Sequence, residues 1–137
     1  MADWKIVTIV HRTIFRWSGG RVGAKLGGID MAVIDSVGRK TGKIRTVPIA
    51  CYPYQGSVAV VASNNGGDSD PAWLLNLRAH PEVDIQLGQQ RYQVKAEELS
   101  NEEMEKLWPK IIRINPRQSI YRKQSRRKLP VVYFRRL

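Results

Sequence analysis

Residues 31–63, MAVIDSVGRKTGKIRTVPIACYPYQGSVAVVAS, decide how the chain is read. Three runs rich in β-branched and aromatic residues, 31–38, 45–54 and 57–63, are separated by GRKTGK and by QG. Branched and aromatic side chains favour extended chain, and a Gln-Gly pair supplies a tight hairpin turn, so the stretch predicts an antiparallel meander of three strands. The loop joining the first two strands belongs to the segment GRKTGKIR, in which Arg39, Lys40, Lys43 and Arg45 place four cations in eight positions beside Gly38 and Gly42.

Further along, EVDIQL (82–87) and RYQVKAEEL (91–99) alternate apolar and polar residues around GQQ, and LPVVYF (129–134) reads as one more strand, giving about six. Between them DPAWLLNLRAH predicts a helix with Asp70 as N-cap, Pro71 at the first helical position and Pro81 beyond its end. SNEEMEKLWPKII predicts a second, capped by Ser100 or Asn101 with glutamates in the first turn, and NPRQSIYRKQSRRK a third. Ahead of the strands, residues 3–17 fit a basic amphipathic helix with Ile6, Val7, Val10, Ile14 and Trp17 on one face. That helix either packs on the core or lies on an anionic membrane with Trp4 and Trp17 at the interface. The glycine-rich SGGRVGAKLGGID after it reads as a flexible link. The expected fold class is α+β: one domain over 1–137, with residues 1–29 as helix and link and 30–137 as an antiparallel sheet closed into a small barrel.

A chain of 137 residues is the size of one domain. Its single cysteine, Cys51, excludes an intrachain disulfide and sits in an apolar run away from other metal-type residues, so no metal site is expected. No apolar stretch approaches the roughly 20 residues that span a bilayer, and the N-terminus lacks a signal-peptide pattern, which together point to the cytoplasm. The net charge of +11 is uneven: residues 1–105 hold 12 basic and 12 acidic side chains, residues 106–137 hold 11 basic and none acidic. Such an excess suits an anionic partner.

Conventional catalytic groups are scarce. His11 and His80 read as surface or capping residues, and Glu97, Glu98, Glu102, Glu103 and Glu105 suit dipole compensation at a helix start better than an acid–base pair. Any difficult chemistry would belong to a cofactor that the protein orients. GRKTGK is not the phosphate loop G-x-x-x-x-G-K-[ST], because Val37 and Ile44 stand where a glycine and a hydroxyl are needed. It can still grip phosphate through cations and backbone N–H groups, or be a solvated hairpin loop. ASNNGGDSDPAWLLNL passes from strand through a polar bend into a helix bearing Trp73 in its first turn; it can receive a planar heterocycle, or Trp73, Leu74 and Leu77 are simply core.

Read together, GRKTGKIRTVPI, VVASNNGGDSDPAWLLNLRAHPEVDIQL and LPVVYF resemble the deazaflavin-dependent nitroreductase family, split β-barrel oxidoreductases that use coenzyme F420. The resemblance runs from about Ile34 to Phe134. It implies that Arg39, Lys40, Thr41 and Arg45 bind the cofactor's phosphate and acidic tail, that Thr46, Val47, Pro48 and Ile49 line its slot, and that Ala62, Ser63 and Asn64 lie near the ring. It also carries over the segment from Pro71 through Ala72, Trp73, Leu74, Leu75 and Asn76 as cofactor-binding. SNNGG is one residue longer than the family's S-x-G-G, and the family's tyrosine-rich Y-P-x-Y-x-x-Y appears as NPRQSIY, with Asn115 and Gln118 in place of two tyrosines. Gln118 and Tyr121 are thereby implied on the substrate side, with Tyr121 or Ser63 as proton donor.

The implied activity is hydride transfer from reduced F420 to a hydrophobic acceptor such as a quinone or nitro compound, with nitroimidazole-type reduction put in doubt by the two missing tyrosines. Lysine and arginine would neutralise the cofactor's polyanionic tail, while the basic first helix and C-terminal segment would hold the enzyme on the inner face of the plasma membrane. The expected partners are the small-molecule hydride acceptor, that membrane surface and a second copy of the chain in a homodimer. An FMN-binding split-barrel oxidoreductase is one alternative. A basic nucleic-acid-binding module, with YRKQSRRK flanked by Trp108, Tyr121 and Tyr133, is the other, and no nucleic acid is expected because that reading leaves both glycine-rich segments unexplained.

Overall fold

The computed structural model describes residues 25–26 and 29–137. The expected first helix, with His11, Trp4 and Trp17, lies outside the described residues. β1 (Lys25–Leu26) pairs with the start of β2 (Ile29–Val37), so the end of the expected link is a short strand. The meander follows: β2, β3 (Ile44–Ala50), β4 (Tyr52–Tyr54) and β5 (Ser57–Val61). Gln55 and Gly56 turn the β4–β5 hairpin with φ of 45° and 75°, the left-handed pair that matches strand twist. α1 (Ala72–Ala79) leads to the hairpin β6 (Glu82–Leu87) and β7 (Gln90–Glu98). α2 (Asn101–Ile114) and α3 (Arg117–Gln124) precede β8 (Val131–Arg136).

All pairings are antiparallel. β2 is central on one side, running from Met31↔Ala50 to Val37↔Ile44 against β3 and from Ala32↔Leu87 to Asp35↔Asp84 against β6. The ladder continues β6–β7–β8–β5–β4. The fold class is α+β as expected, with two differences. The run RTVPIACYPY is two strands broken at Cys51, because its first half pairs with β2 and its second with β5. The backbone N–H of Cys51 donates to the Asp30 carbonyl at 2.9 Å and seats the break. The sheet is also not closed: β3 and β4 lie towards its two ends, joined through the chain at Cys51 rather than by a ladder, which is the split form of a barrel.

Two apolar clusters use the two faces of the same strands. Val58 and Val60 of β5 join Ile34, Ile85, Val94 and Phe134 inside the curved sheet, where Leu74 and Leu77 of α1 plug it. Ala59 and Val61 face the other way and pack with Met104, Leu107, Trp108 and Ile111 of α2. β5 is therefore buried along its whole length, which is why its sequence reads as a continuous apolar run without alternation. Each fully buried valine or leucine contributes about 1.5–3 kcal/mol.

The helix ends follow local chemistry. Ser100 Oγ accepts the Glu103 N–H at 3.2 Å and Glu103 Oε1 accepts the Ser100 N–H at 3.1 Å, a complete capping box for α2. α1 differs from expectation, since Pro71 is its N-cap and Asp70 makes no cap. The Asp70 carboxylate is drawn instead to Arg78 at 2.9 Å and Arg127 at 2.7 Å, charged donors that outcompete a backbone N–H.

Candidate functional site

The β2–β3 loop is folded by its glycines. Gly38 N–H donates to the Lys43 carbonyl and Gly42 N–H to the Gly38 carbonyl, both at 2.8 Å. A Cβ on Gly38 would stand 2.9 Å from Thr41 Oγ1 and 3.2 Å from the Lys43 oxygen, and Gly42 has φ +71°, so each position favours glycine. α1 fastens the loop from the side: Asn76, only 4% exposed, accepts both the Arg39 N–H at 3.1 Å and the Arg39 Nη1–H at 2.9 Å on its Oδ1. A helix residue thus fixes the direction of a loop cation.

Loop and helix enclose a cleft of about 420 Å³ whose wall includes Arg39, Lys40, Thr41, Arg45, Val47, Ala72, Trp73 and Asn76. No carboxylate among the described residues lines it. Lys43 is exposed and stands outside it. Val47 and Trp73 also belong to a second cleft of about 780 Å³, which includes Pro48, Ile49, Ser63, Asn64, Pro71, Asn115, Gln118 and Tyr121. The two clefts therefore share a wall, one side carrying Arg39, Lys40 and Arg45 and the other a mixture of apolar side chains, amides and hydroxyls with Arg117. Among the residues expected for a site, Thr46, Ala62, Leu74 and Leu75 line neither cleft. Thr46 Oγ1 donates to Asp35 at 3.0 Å on the opposite face of β3, while Ala62 and Leu74 are buried in the core.

The segment 63–67 takes a tight path. Asn64, Asn65 and Gly66 have φ of 47°, 55° and 82°, left-handed positions that Asn and Gly adopt at least strain, which accommodates the extra residue of SNNGG. Arg127 holds this loop from behind. Its guanidinium donates to the Ala62 carbonyl at 2.9 Å, the Gly67 carbonyl at 3.3 Å and Asp70 at 2.7 Å, and its side chain is 18% exposed. The sequence put YRKQSRRK in a third helix and offered it as a nucleic-acid-binding surface; Arg127 lies past the end of α3 and is a structural clamp instead.

A second residue that the sequence did not reveal is Tyr52. It is fully buried behind the larger cleft, and its hydroxyl accepts N–H bonds from Asn115 at 3.0 Å and Gln118 at 3.3 Å. Burial pushes its phenol up, and the two amide donors pull it partly back. Its partners are 63 and 66 residues away, so no local pattern could have found it. Burial, with a smaller push from Asp30, raises the Cys51 thiol to about 12 and leaves it unreactive. Among the described residues no group of three or more His, Cys, Asp or Glu side chains is placed to hold a metal, and no helix is long and apolar enough to cross a membrane.

Fold and clefts together define a class: an open-barrel α+β protein with a cationic loop beside a slot walled by an aromatic, suited to a ligand that is anionic at one end and planar at the other. Comparison with known proteins narrows it. The family model of the F420H(2)-dependent quinone reductases matches residues 8–135, and the chain belongs to that family of oxidoreductases, whose cofactor is coenzyme F420. It is 30% identical over 132 residues, 93% of this chain and 88% of the other, to the F420H(2)-dependent quinone reductase Rv1261c of Mycobacterium tuberculosis. A solved F420-H2 dependent reductase, FDR-A, superposes with a TM-score of 0.70 at 31% identity, over 76% of this chain and 92% of that one. A solved domain-swapped dimer gives a TM-score of 0.73 at 29% identity, over 93% and 96% of the two chains.

Proposed function

We propose that this protein binds coenzyme F420 across the two clefts and catalyses hydride transfer from its reduced form to a quinone-type acceptor. The observation that carries the reading is the meeting of GRKTGKIR and the helix of PAWLLN, distant in sequence, on the wall of one cleft that continues past Val47 and Trp73 into a second. When bound, the deazaflavin supplies a hydride from a ring carbon. Arg39, Lys40, Thr41 and Arg45 would hold its phosphate and acidic tail, a role that suits a cleft lined, among the described residues, by three cations and no carboxylate. Asn76 would act through Arg39, keeping one guanidinium nitrogen occupied so that the rest of the fork faces the ligand.

In this reading Trp73, Val47, Pro48 and Ile49 exclude water and fix one face of the ring, while Ser63, Asn64, Gln118 and Tyr121 border the acceptor's side. Tyr121 or Ser63 would hold the proton that the reduced acceptor takes up. No acid–base pair is required of the protein, in keeping with the want of one in the sequence. The whole chain would act as a single domain, with the basic helix expected at residues 3–17 and the C-terminal segment serving membrane attachment at the cytoplasmic face, and the likeness to a domain-swapped dimer supports a homodimer.

Titration with oxidised F420, followed by quenching of tryptophan fluorescence, tests the reading. Saturable quenching, weakened in Lys40→Ala and Arg45→Ala, is expected. Tight FMN with a yellow purified protein and no response to F420 would replace it by the flavin alternative.

A further inference from the structure

Residues 106–137 hold 11 cations and no carboxylate, and the fold accounts for most of the arginines among them. Arg122 pairs with Glu105 and stacks on Trp108, Arg127 pairs with Asp70, Arg135 pairs with Glu97, and Arg136 stacks on Tyr92. Of the other three, Arg113 and Arg126 line neither cleft, whereas Arg117 lines the larger one. Arg117 opens α3, is exposed, and its side chain makes no hydrogen bond, ion pair or ring contact among the described residues. It is the one charged side chain among the described residues that line this cleft, where Ser63, Asn64, Asn65, Gln118 and Tyr121 supply only neutral polar groups.

A hydride acceptor of the quinone class changes charge before it is protonated. One hydride bonds to the neutral quinone and its electron pair leaves a negative charge on an oxygen; a proton then converts that oxyanion into the hydroquinone. Hydroxyl and amide donors can bond to all three species, but a full positive charge separates the anion from the two neutral forms more strongly. A cation beside the acceptor therefore lowers the energy of the state that hydride transfer has to reach. Arg39, Lys40 and Arg45 line the smaller cleft and, in the proposed function, are occupied by the cofactor's phosphate and acidic tail.

We propose that the Arg117 guanidinium is the anion-holding group of the larger cleft. It binds the oxyanion formed when the acceptor takes up hydride, and it gives the cleft a preference for acceptors that already carry an oxygen anion, as hydroxyquinones do at neutral pH. The proton that completes the reduction is left to Tyr121 or Ser63. The inference deepens the proposed function and rests on it for the placing of the acceptor in the larger cleft. Because Arg117 is exposed, its pull is that of a partly screened charge and weakens as salt rises.

The test is binding to the full chain without cofactor, by ligand-observed NMR at neutral pH, of two quinones of nearly equal size: 2-hydroxy-1,4-naphthoquinone, an oxygen anion under these conditions, and 2-methyl-1,4-naphthoquinone, which is neutral. The wild type should bind the anion about three- to fivefold more tightly, the scale of an exposed charge contact, and the preference should shrink as salt is added. Arg117→Gln should weaken the anion by that factor and leave the neutral quinone at its wild-type affinity, which shows the cleft intact. Arg117→Lys should keep part of the preference and Arg117→Glu should weaken the anion further than Arg117→Gln does. Lys123→Gln removes the same charge from an exposed position of the same helix that lines neither cleft, and should leave the preference in place. Wild-type protein with no preference, anion binding unchanged in Arg117→Gln, an equal loss for the neutral quinone, or an equal loss in Lys123→Gln overturns the inference. F420 titration of the wild type reads the proposed function separately, so each can fail alone.

Discussion

The two loops that border the clefts are held in opposite ways. The β2–β3 loop closes on itself through backbone bonds at two glycines, and borrows one side chain, Asn76, to steer Arg39. The 62–70 loop is gripped from outside by Arg127, with help from Ser125 Oγ donating to the Gly67 carbonyl at 3.2 Å and the Arg126 N–H donating to Asp68 at 3.1 Å. In the first the cations face outward into a cleft; in the second the cation is consumed in holding the loop. Both sit in basic stretches of sequence, and only the partners around each arginine tell a ligand-facing cation from a clamp.

That difference predicts how each should break. Arg127→Ala removes three donor contacts and leaves Asp70 and two carbonyls short of partners, so it should lower stability in urea by about 2–4 kcal/mol. Loss of less than about 0.5 kcal/mol would mean the loop holds itself. Lys40→Ala and Arg45→Ala should do the reverse, each weakening F420 binding by about 1.5–3 kcal/mol while moving stability by no more than about 0.5 kcal/mol. Asn76→Ala should fall between, reducing both by about 1–2 kcal/mol, because it frees Arg39 and removes a buried acceptor. Gly42→Ala should lower stability by about 1 kcal/mol through its left-handed backbone, with no cleft contact involved.

The smallest expected effect uses Cys51 as a reporter of the sheet between the loops. Its thiol, at about 12 when folded and about 9 when exposed, stays protonated at pH 8 and should react with a disulfide reagent only through opening. Arg127→Ala should speed that labelling and Arg39→Ala should leave it unchanged. Because the folded value is the higher one, the thiol's contribution is complete below pH 9 and is lost as pH rises towards 12. The stability of Cys51→Ala should therefore fall less steeply over that window than that of the wild type.

Strand and helix placement was largely legible, since β-branched runs, Gln55-Gly56 and the Ser100 capping box each carry a local reason for their structure. What was not legible depended on distant partners. Nothing between Arg45 and Tyr54 announces a break at Cys51, because the run stays apolar; the break exists because β2 claims one half and β5 the other. Asp70 satisfied every local rule for a cap and lost to two arginines, one of them 57 residues away. The cationic loop and the Trp73 helix were visible as motifs, but their meeting was not, and neither Tyr52 nor Arg127 carries a local signal of its role.

The strand order also bears on how quickly the molecule can assemble. The β2–β3 and β4–β5 hairpins close over short spans and can form at once, whereas β5–β8 and β2–β6 must find partners far along the chain. Cys51 can seat once both hairpins are in place. Such a high proportion of non-local pairing belongs with folding in the millisecond-to-second range rather than microseconds. The Asn76 bond to Arg39, spanning 37 residues, and the Tyr52 contacts with α3 would then be among the last formed, so the clefts ripen only as the molecule finishes folding.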